Sequence, residues 1–310
     1  KDFFQSTTAP SGYQLTRSLR FRASATAYLS RTLSTATNSK IWTWRGWVKK
    51  GALSSSEVLF GAVTGSARSF FKIDNSDNTI AFLQYSGSYT ALLNTGIPLL
   101  RDPSSWYHIV LAIDTTQATA SDRIKLYVNG VQQTLSGTYV PQNSNTSVNN
   151  TVTQGIGYYT PSSAGYFDGY MAEFNFVDGQ ALTPSSFGET SSTTGVWQPK
   201  AYTGTYGTNG FYLPFTDNSA LTSGSNAGLG KDFSGNGNYF NTNNISVTAG
   251  VTYDAMTDSP TPKSSTVGNY CTLNPNLRQT GTSSAPTNGC TTVNPSLTTT
   301  IVVSVTDVTL

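Results

Sequence analysis

The chain has 310 residues, enough to bury a large core as one big β-sandwich or as a sandwich plus a smaller module. Only 11% of it is charged, far below the roughly 25% of ordinary soluble domains, and Ser, Thr, Asn and Gly stand in place of Lys and Glu. Net charge is +2, the 18 Lys and Arg are scattered apart from Arg17, Arg20, Arg22 and Arg31, and no run approaches the roughly 18 apolar residues of a spanning helix; neither a nucleic-acid partner nor membrane insertion is expected.

The first residues lack the charged-then-apolar pattern of a leader. The chain opens at Lys1 and not Met, so a leader removed by processing and a start inside a longer polypeptide both stay open. Residues 1–17 read as an N-terminal arm. From residue 18 onward, short runs rich in Val, Ile, Tyr and Phe recur between Gly, Asn, Asp and Ser, with almost no helical periodicity. They predict strands at 18–21, 40–49, 56–62, 69–74, 79–85, 106–114, 123–128 and 169–177, a spacing that fits a two-sheet sandwich.

Within 106–114, Trp106, His108, Val110 and Ala112 share one face, and Tyr107, Ile109, Leu111 and Ile113 the other. Both faces are mostly apolar, which predicts a central strand. The next strand pairs with it across the polar 115–122 connection and ends in Asn129-Gly130, which supplies the positive φ angles of a tight hairpin.

Residues 141–153 carry Asn, Ser and Thr without a strand signal and read as an exposed loop suited to recognition. An internal boundary is expected near 195–208, where Trp197-Gln198-Pro199 leads into a Gly- and Thr-rich stretch. The apolar run 210–215 after it is either the closing strand of the sandwich or the start of an appended module. Residues 217–244 call for successive turns. The sandwich is assigned to 18–245, and 246–310 to a Pro-, Thr- and Asn-rich extension. Its β-branched end, 300–308, is an edge strand or part of an intersubunit sheet. Cys271 and Cys290 are the two cysteines; a local disulfide and a reduced pair are both open.

Trp106-Tyr107-His108-Ile109-Val110, then Leu126-Tyr127-Val128-Asn129-Gly130, then Phe167-Asp168-Gly169-Tyr170-Met171-Ala172-Glu173-Phe174 with Ala181-Leu182-Thr183-Pro184, resemble the laminin-G-like and concanavalin A-like lectin/glucanase superfamily. The resemblance covers about residues 15–245 and implies an all-β fold, a two-sheet antiparallel jelly-roll sandwich with a loop-rich C-terminal extension. The segments Leu213-Pro214-Phe215, Lys231-Asp232-Phe233-Ser234-Gly235-Asn236-Gly237-Asn238 and Met256-Thr257-Asp258-Ser259-Pro260 are similar to segments of bacteriophage tail-fibre proteins, where a further β-sandwich usually follows. Here too little chain remains for a second sandwich. A surface of hydroxyls and amides is also common in secreted lectins and viral fibres. These likenesses imply a virion structural protein (fibre, spike or surface decoration) that sits on the virion surface among other virion proteins. They further imply a homo-oligomer, by analogy a trimer, that binds host surface glycans. The alternative is a secreted bacterial carbohydrate-binding or adhesin module, and a less favoured one is a glycoside hydrolase with unfamiliar carboxylate placement.

No catalytic site is expected. Glycoside hydrolysis needs two placed carboxylates, and the Glu-x-Asp-x-x-Glu signature of hydrolases in this superfamily is absent. Asp168 and Glu173 are separated by an odd number, which puts them on opposite faces of a regular strand. His108 sits in mid-strand beside Trp106, where packing explains it better than base catalysis. Candidate glycan platforms are Tyr85, Tyr89, Tyr158, Tyr159 and Tyr166, since an aromatic face stacks on the apolar face of a pyranose. No cofactor is expected except calcium, for which Asp217, Asn218, Asp232, Asn236 and Asn238 are candidate oxygen ligands. The same residue types are what tight turns need, and turn chemistry is the preferred reading.

Overall fold

The computed structural model describes residues 12–51, 56–64, 66–74, 78–158, 165–192 and 195–261. Tyr159, Cys271, Cys290 and the run 300–308 lie outside the described residues. In chain order the strands are β1 Ser18–Phe21, β2 Tyr28–Thr32, β3 Ile41–Lys50, β4 Glu57–Thr64, β5 Ala67–Ile73, β6 Ile80–Ser86, β7 Ser88–Asn94, β8 Tyr107–Asp114 and β9 Ile124–Val128. They continue as β10 Val131–Gln133, β11 Ser136–Thr138, β12 Thr153–Ile156, β13 Gly169–Asp178, β14 Gly188–Thr190, β15 Trp197–Pro199, β16 Phe211–Leu213, β17 Asn241–Asn243 and β18 Ala255–Met256. Among the described residues the helical elements are short 3-10 turns.

Two antiparallel sheets face each other. The first runs β10-β9-β8-β3-β13-β1-β18, with β16 also paired to β13, and the second β11-β7-β6-β5-β4-β12-β2-β17; β14 and β15 form a separate hairpin. The fold is the expected all-β jelly-roll sandwich. β8 lies inside the first sheet between β3 and β9, and its two faces divide as the alternation predicts. Ile109, Leu111 and Ile113 enter the core between the sheets, while Val110 and Ala112 join Tyr127, Val177 and Phe187 on the outer side.

Aromatic residues from both sheets fill that core. Trp44 of β3 meets Phe71 of β5 and Phe174 of β13 edge-on, each with 5.1 Å between ring centres. Offset and edge contacts of this kind add about 0.5–1.5 kcal/mol each beyond the area they bury. The run 210–215 enters as β16, pairing Phe211 with Phe176 and Leu213 with Phe174, so it is a strand of the sandwich.

Chain beyond residue 245 also joins the first sheet, through β18 on β1. Asp254, whose side chain is fully buried, locks that edge: its Oδ1 accepts from Nε of Arg20 (3.0 Å) and of Arg22 (2.9 Å), and its Oδ2 from the Ser246 N–H (2.9 Å). Tyr13 and Leu15 of the expected arm pack on the outer face of the first sheet with Trp47, Trp106, Ala172 and Trp197.

Candidate functional site

Three polar side chains pin the 141–152 loop to the end of the sandwich. Ser69 of β5 and Gln84 of β6 are cross-strand partners, and both are buried. The Ser69 hydroxyl donates to Gln84 Oε1 and accepts the Ser147 N–H at 2.7 Å. Gln84 Nε2 then donates to the Asn145 carbonyl at 3.1 Å. Deeper in, the Thr146 hydroxyl accepts the Trp42 indole N–H at 3.0 Å and donates to the Ser39 carbonyl at 2.7 Å. Buried polar atoms must find such partners, so the loop is held in one conformation.

Between this loop and the β6–β7 hairpin lies a groove of about 360 Å³, whose lining includes Ser86, Thr90, Ser144, Asn145, Ser147 and Asn150. Hydroxyls and amides dominate it, and among the described residues no ionisable side chain lines it. Asn145 and Ser86 are exposed at its edge. The loop was legible as a recognition segment; the groove was not, because it depends on Gln84 turning inward at the strand end.

The four of the expected tyrosines that lie among the described residues fall into two clusters. Tyr85 and Tyr89 pair across the β6–β7 hairpin, whose turn is Gly87 at φ +77°, with ring centres 5.3 Å apart. The Arg68 guanidinium lies over Tyr85 at 4.4 Å, and Tyr89 is 49% exposed. Neither ring lines the groove, although Ser86 and Thr90 of the same hairpin do. Tyr158 and Tyr166 instead stack on each other at 4.3 Å, with Tyr28 5.0 Å from Tyr158. Tyr158 is buried, and the register through β4 and β12 places this cluster at the opposite end of the second sheet. Packing accounts for it.

The calcium candidates are engaged as turn builders. Asp232 is buried; its Oδ1 accepts the N–H groups of Tyr212 and Ser234 (2.9 Å each), and its Oδ2 the Ser234 hydroxyl (2.8 Å) and the Asn238 N–H (2.7 Å). Asn238 gives its carbonyl oxygen to Arg31, while Asn236 and Asn238 both donate to the Gly210 carbonyl. Asp217 accepts the Ser219 N–H and faces Lys231 at 3.6 Å; its hydrogen bonds with Ser219 hold its carboxyl below the usual range. Asn218 donates to the Tyr253 hydroxyl. Lys231 thus faces Asp217, and Arg31 faces the Asn238 oxygen.

A second chemically dense spot lies on the outer face of the first sheet. Glu173 sits at φ +53° in a β-bulge where the register of β13 on β3 shifts between Ala172 and Asn175. The bulge turns its carboxylate, which is nearly fully buried, toward Tyr13 (hydroxyl to Oε1, 2.7 Å) and Tyr212 (hydroxyl to Oε2, 2.8 Å). Arg45, wholly buried, stands 3.7 Å from Oε1 and donates to the carbonyls of Glu173 and Phe187. Asp168 receives the Ala23 N–H at 3.4 Å. The regular strand assumed for Asp168 and Glu173 is therefore broken by the bulge. His108 is fully buried between the rings of Trp47 and Trp197 and accepts the Trp197 indole N–H at Nδ1 (3.0 Å). Burial, and then the charge of Arg45, holds its pKa well below the usual value.

A family model for the concanavalin A-like lectin/glucanases superfamily matches residues 23–186. The chain belongs to that superfamily, and its fold is a lectin-like one. Among curated proteins none matches. Solved structures similar to the chain include a heptameric SAP-like pentraxin from Limulus polyphemus (16% identity, 56% of this chain and 76% of that one, TM-score 0.38). They also include a putative carbohydrate binding protein from Bacteroides ovatus (18% identity, 56% and 46%, TM-score 0.39). A third is tailspike protein 2 of Escherichia coli O157:H7 bacteriophage CAB120 (16% identity, 60% and 28%, TM-score 0.37). The matched region spans less than half of the latter two chains.

Proposed function

We propose that this chain is a glycan-binding structural protein of a virion surface, and that the groove between the 141–152 loop and the β6–β7 hairpin holds the sugar. The observation that carries this reading is the lining: uncharged hydroxyls and amides, fixed in place by the Ser69–Gln84–Ser147 bonds. Neutral sugars need donors and acceptors whose positions are set before binding, because ordering them afterwards costs affinity. Exposed Tyr89 beside the groove offers an apolar face for a neighbouring ring. The likeness of the 211–260 segments to tail-fibre proteins favours a virion over a secreted adhesin, whereas the low charge fits both. By the same analogy the assembly is a homotrimer, and a monomer mass in analytical ultracentrifugation of the intact chain would count against that part.

A glycan array probed with the purified chain, with and without calcium, tests the reading. Specific binding that is unchanged by chelation is expected, and Asn145→Ala should weaken it about tenfold, the equivalent of roughly one hydrogen bond to a sugar. No binding across the array would leave an architectural role. Binding that vanishes on chelation would return attention to Asp217 and Asp232.

A further inference from the structure

Lys50, the last residue of β3, is 2% exposed, and its side chain points into the end of the sandwich. Its Nζ donates to Oδ1 of Asn78 at 2.7 Å and stands 3.9 Å from Oε2 of Glu57, whose side chain is fully buried. Three elements bring this group together: β3 of the first sheet carries Lys50, the start of β4 carries Glu57, and the turn before β6 carries Asn78 at φ +55°. Neither the groove nor the Glu173 cluster uses it.

A buried lysine is costly as an ammonium, and at 3.9 Å the carboxylate lies beyond hydrogen-bond reach. Burial pulls the lysine pKa down, with Glu57 opposing. A side-chain shift of about 1 Å brings the two within hydrogen-bond reach, and passing one proton from Nζ to the carboxylate then removes both charges and leaves a nucleophilic amine. That amine is already bonded to the oxygen on Asn78 Cγ, one bond from the carbon it would attack, so the entropy of bringing the two groups together has been spent in folding.

The geometry points to an intramolecular isopeptide bond between Lys50 and Asn78, formed with Glu57 as proton shuttle. Lys50 Nζ attacks Asn78 Cγ, the Nζ–Cγ bond forms, the Cγ–Nδ2 bond breaks, and ammonia leaves. Glu57 takes a proton from Nζ and delivers it to Nδ2. No oxidant, metal or cofactor enters the balance. The product ties the first sheet to the second at the end of the sandwich, a covalent staple suited to a protein that must keep its shape outside a cell.

Intact-mass spectrometry of the purified full chain tests this. The expected mass is that of the sequence less one ammonia, and a protease digest should yield a branched peptide joining residues 50 and 78. Lys50→Arg, Asn78→Ala and Glu57→Gln should each show the full mass of their own sequence. A wild-type chain at full sequence mass overturns the proposal, and so does an ammonia loss that persists in Lys50→Arg, since that marks ring closure at an asparagine. The wild-type mass and the branched peptide decide the matter even where a variant fails to fold. Neither readout depends on glycan binding.

Discussion

His108 and Tyr13 sit on the same outer face of the first sheet and couple the fold to pH in opposite directions. The folded His108 stays neutral because its burial lowers its pKa, whereas an unfolded histidine titrates near 6.5. Its contribution to stability is present above that value and is lost as pH falls below it. Tyr13 is the reverse: burial and then the Glu173 carboxylate push its pKa from 10.0 up to about 12. A raised tyrosine favours the neutral form in the fold, so this contribution is present below pH 10 and is lost as pH rises toward 12. Tyr206 and Tyr212 are raised by the same causes. Urea midpoints measured against pH should therefore fall on both flanks, with His108→Phe flattening the acid flank. Tyr13→Phe should flatten the alkaline one and cost about 1 kcal/mol at neutral pH for the lost bond to Glu173. A midpoint independent of pH from 5 to 11 would refute both assignments. The packed character of His108 was readable from its place in mid-strand. The partners of Glu173 were not, because Met171-Ala172-Glu173-Phe174 carries no glycine to announce a bulge.

At the scale of elements, the turn at Asn129-Gly130 was legible and its second role was not. Both residues have positive φ, +48° and +82°, as the hairpin requires. Gly130 also lies under the Trp197 ring, where a Cβ would come within 2.6 Å. Gly130→Ala should therefore cost about 1–3 kcal/mol, through strain at φ and through displaced packing, and should lower the thermal midpoint. An unchanged midpoint would show that Trp197 moves freely. The eight strands expected from their apolar runs are all present, each within a few residues of the expected bounds. Missed were β2 and β7 of the second sheet, and short strands whose stability comes from neighbours. β12 holds a single large apolar residue, Ile156, yet bonds on both sides to β2 and β4, and β17 is Asn-Thr-Asn, an edge held only by β2. A strand of that kind leaves no periodic trace in its own residues.

For the whole molecule, the sandwich followed from strand spacing, but the cover over the outer face of the first sheet did not. Leu182, Phe187, Trp197, Tyr202 and Tyr206 plug that face one at a time from an irregular segment rich in Ser, Thr and Gly, so no period links them. In the proposed function, the first sheet covered in this way is scaffold, and the end of the sandwich near the β6–β7 hairpin meets the ligand. This division of labour rests on the uncharged lining of the groove. Its most direct test is NMR chemical-shift mapping of the chain titrated with a glycan selected from the array. Perturbations should be confined to Ser86, Thr90, Asn145, Asn150 and the Tyr89 ring. Perturbations centred instead on Tyr13, Glu173 and Tyr212 would contradict it and make the covered face the working one.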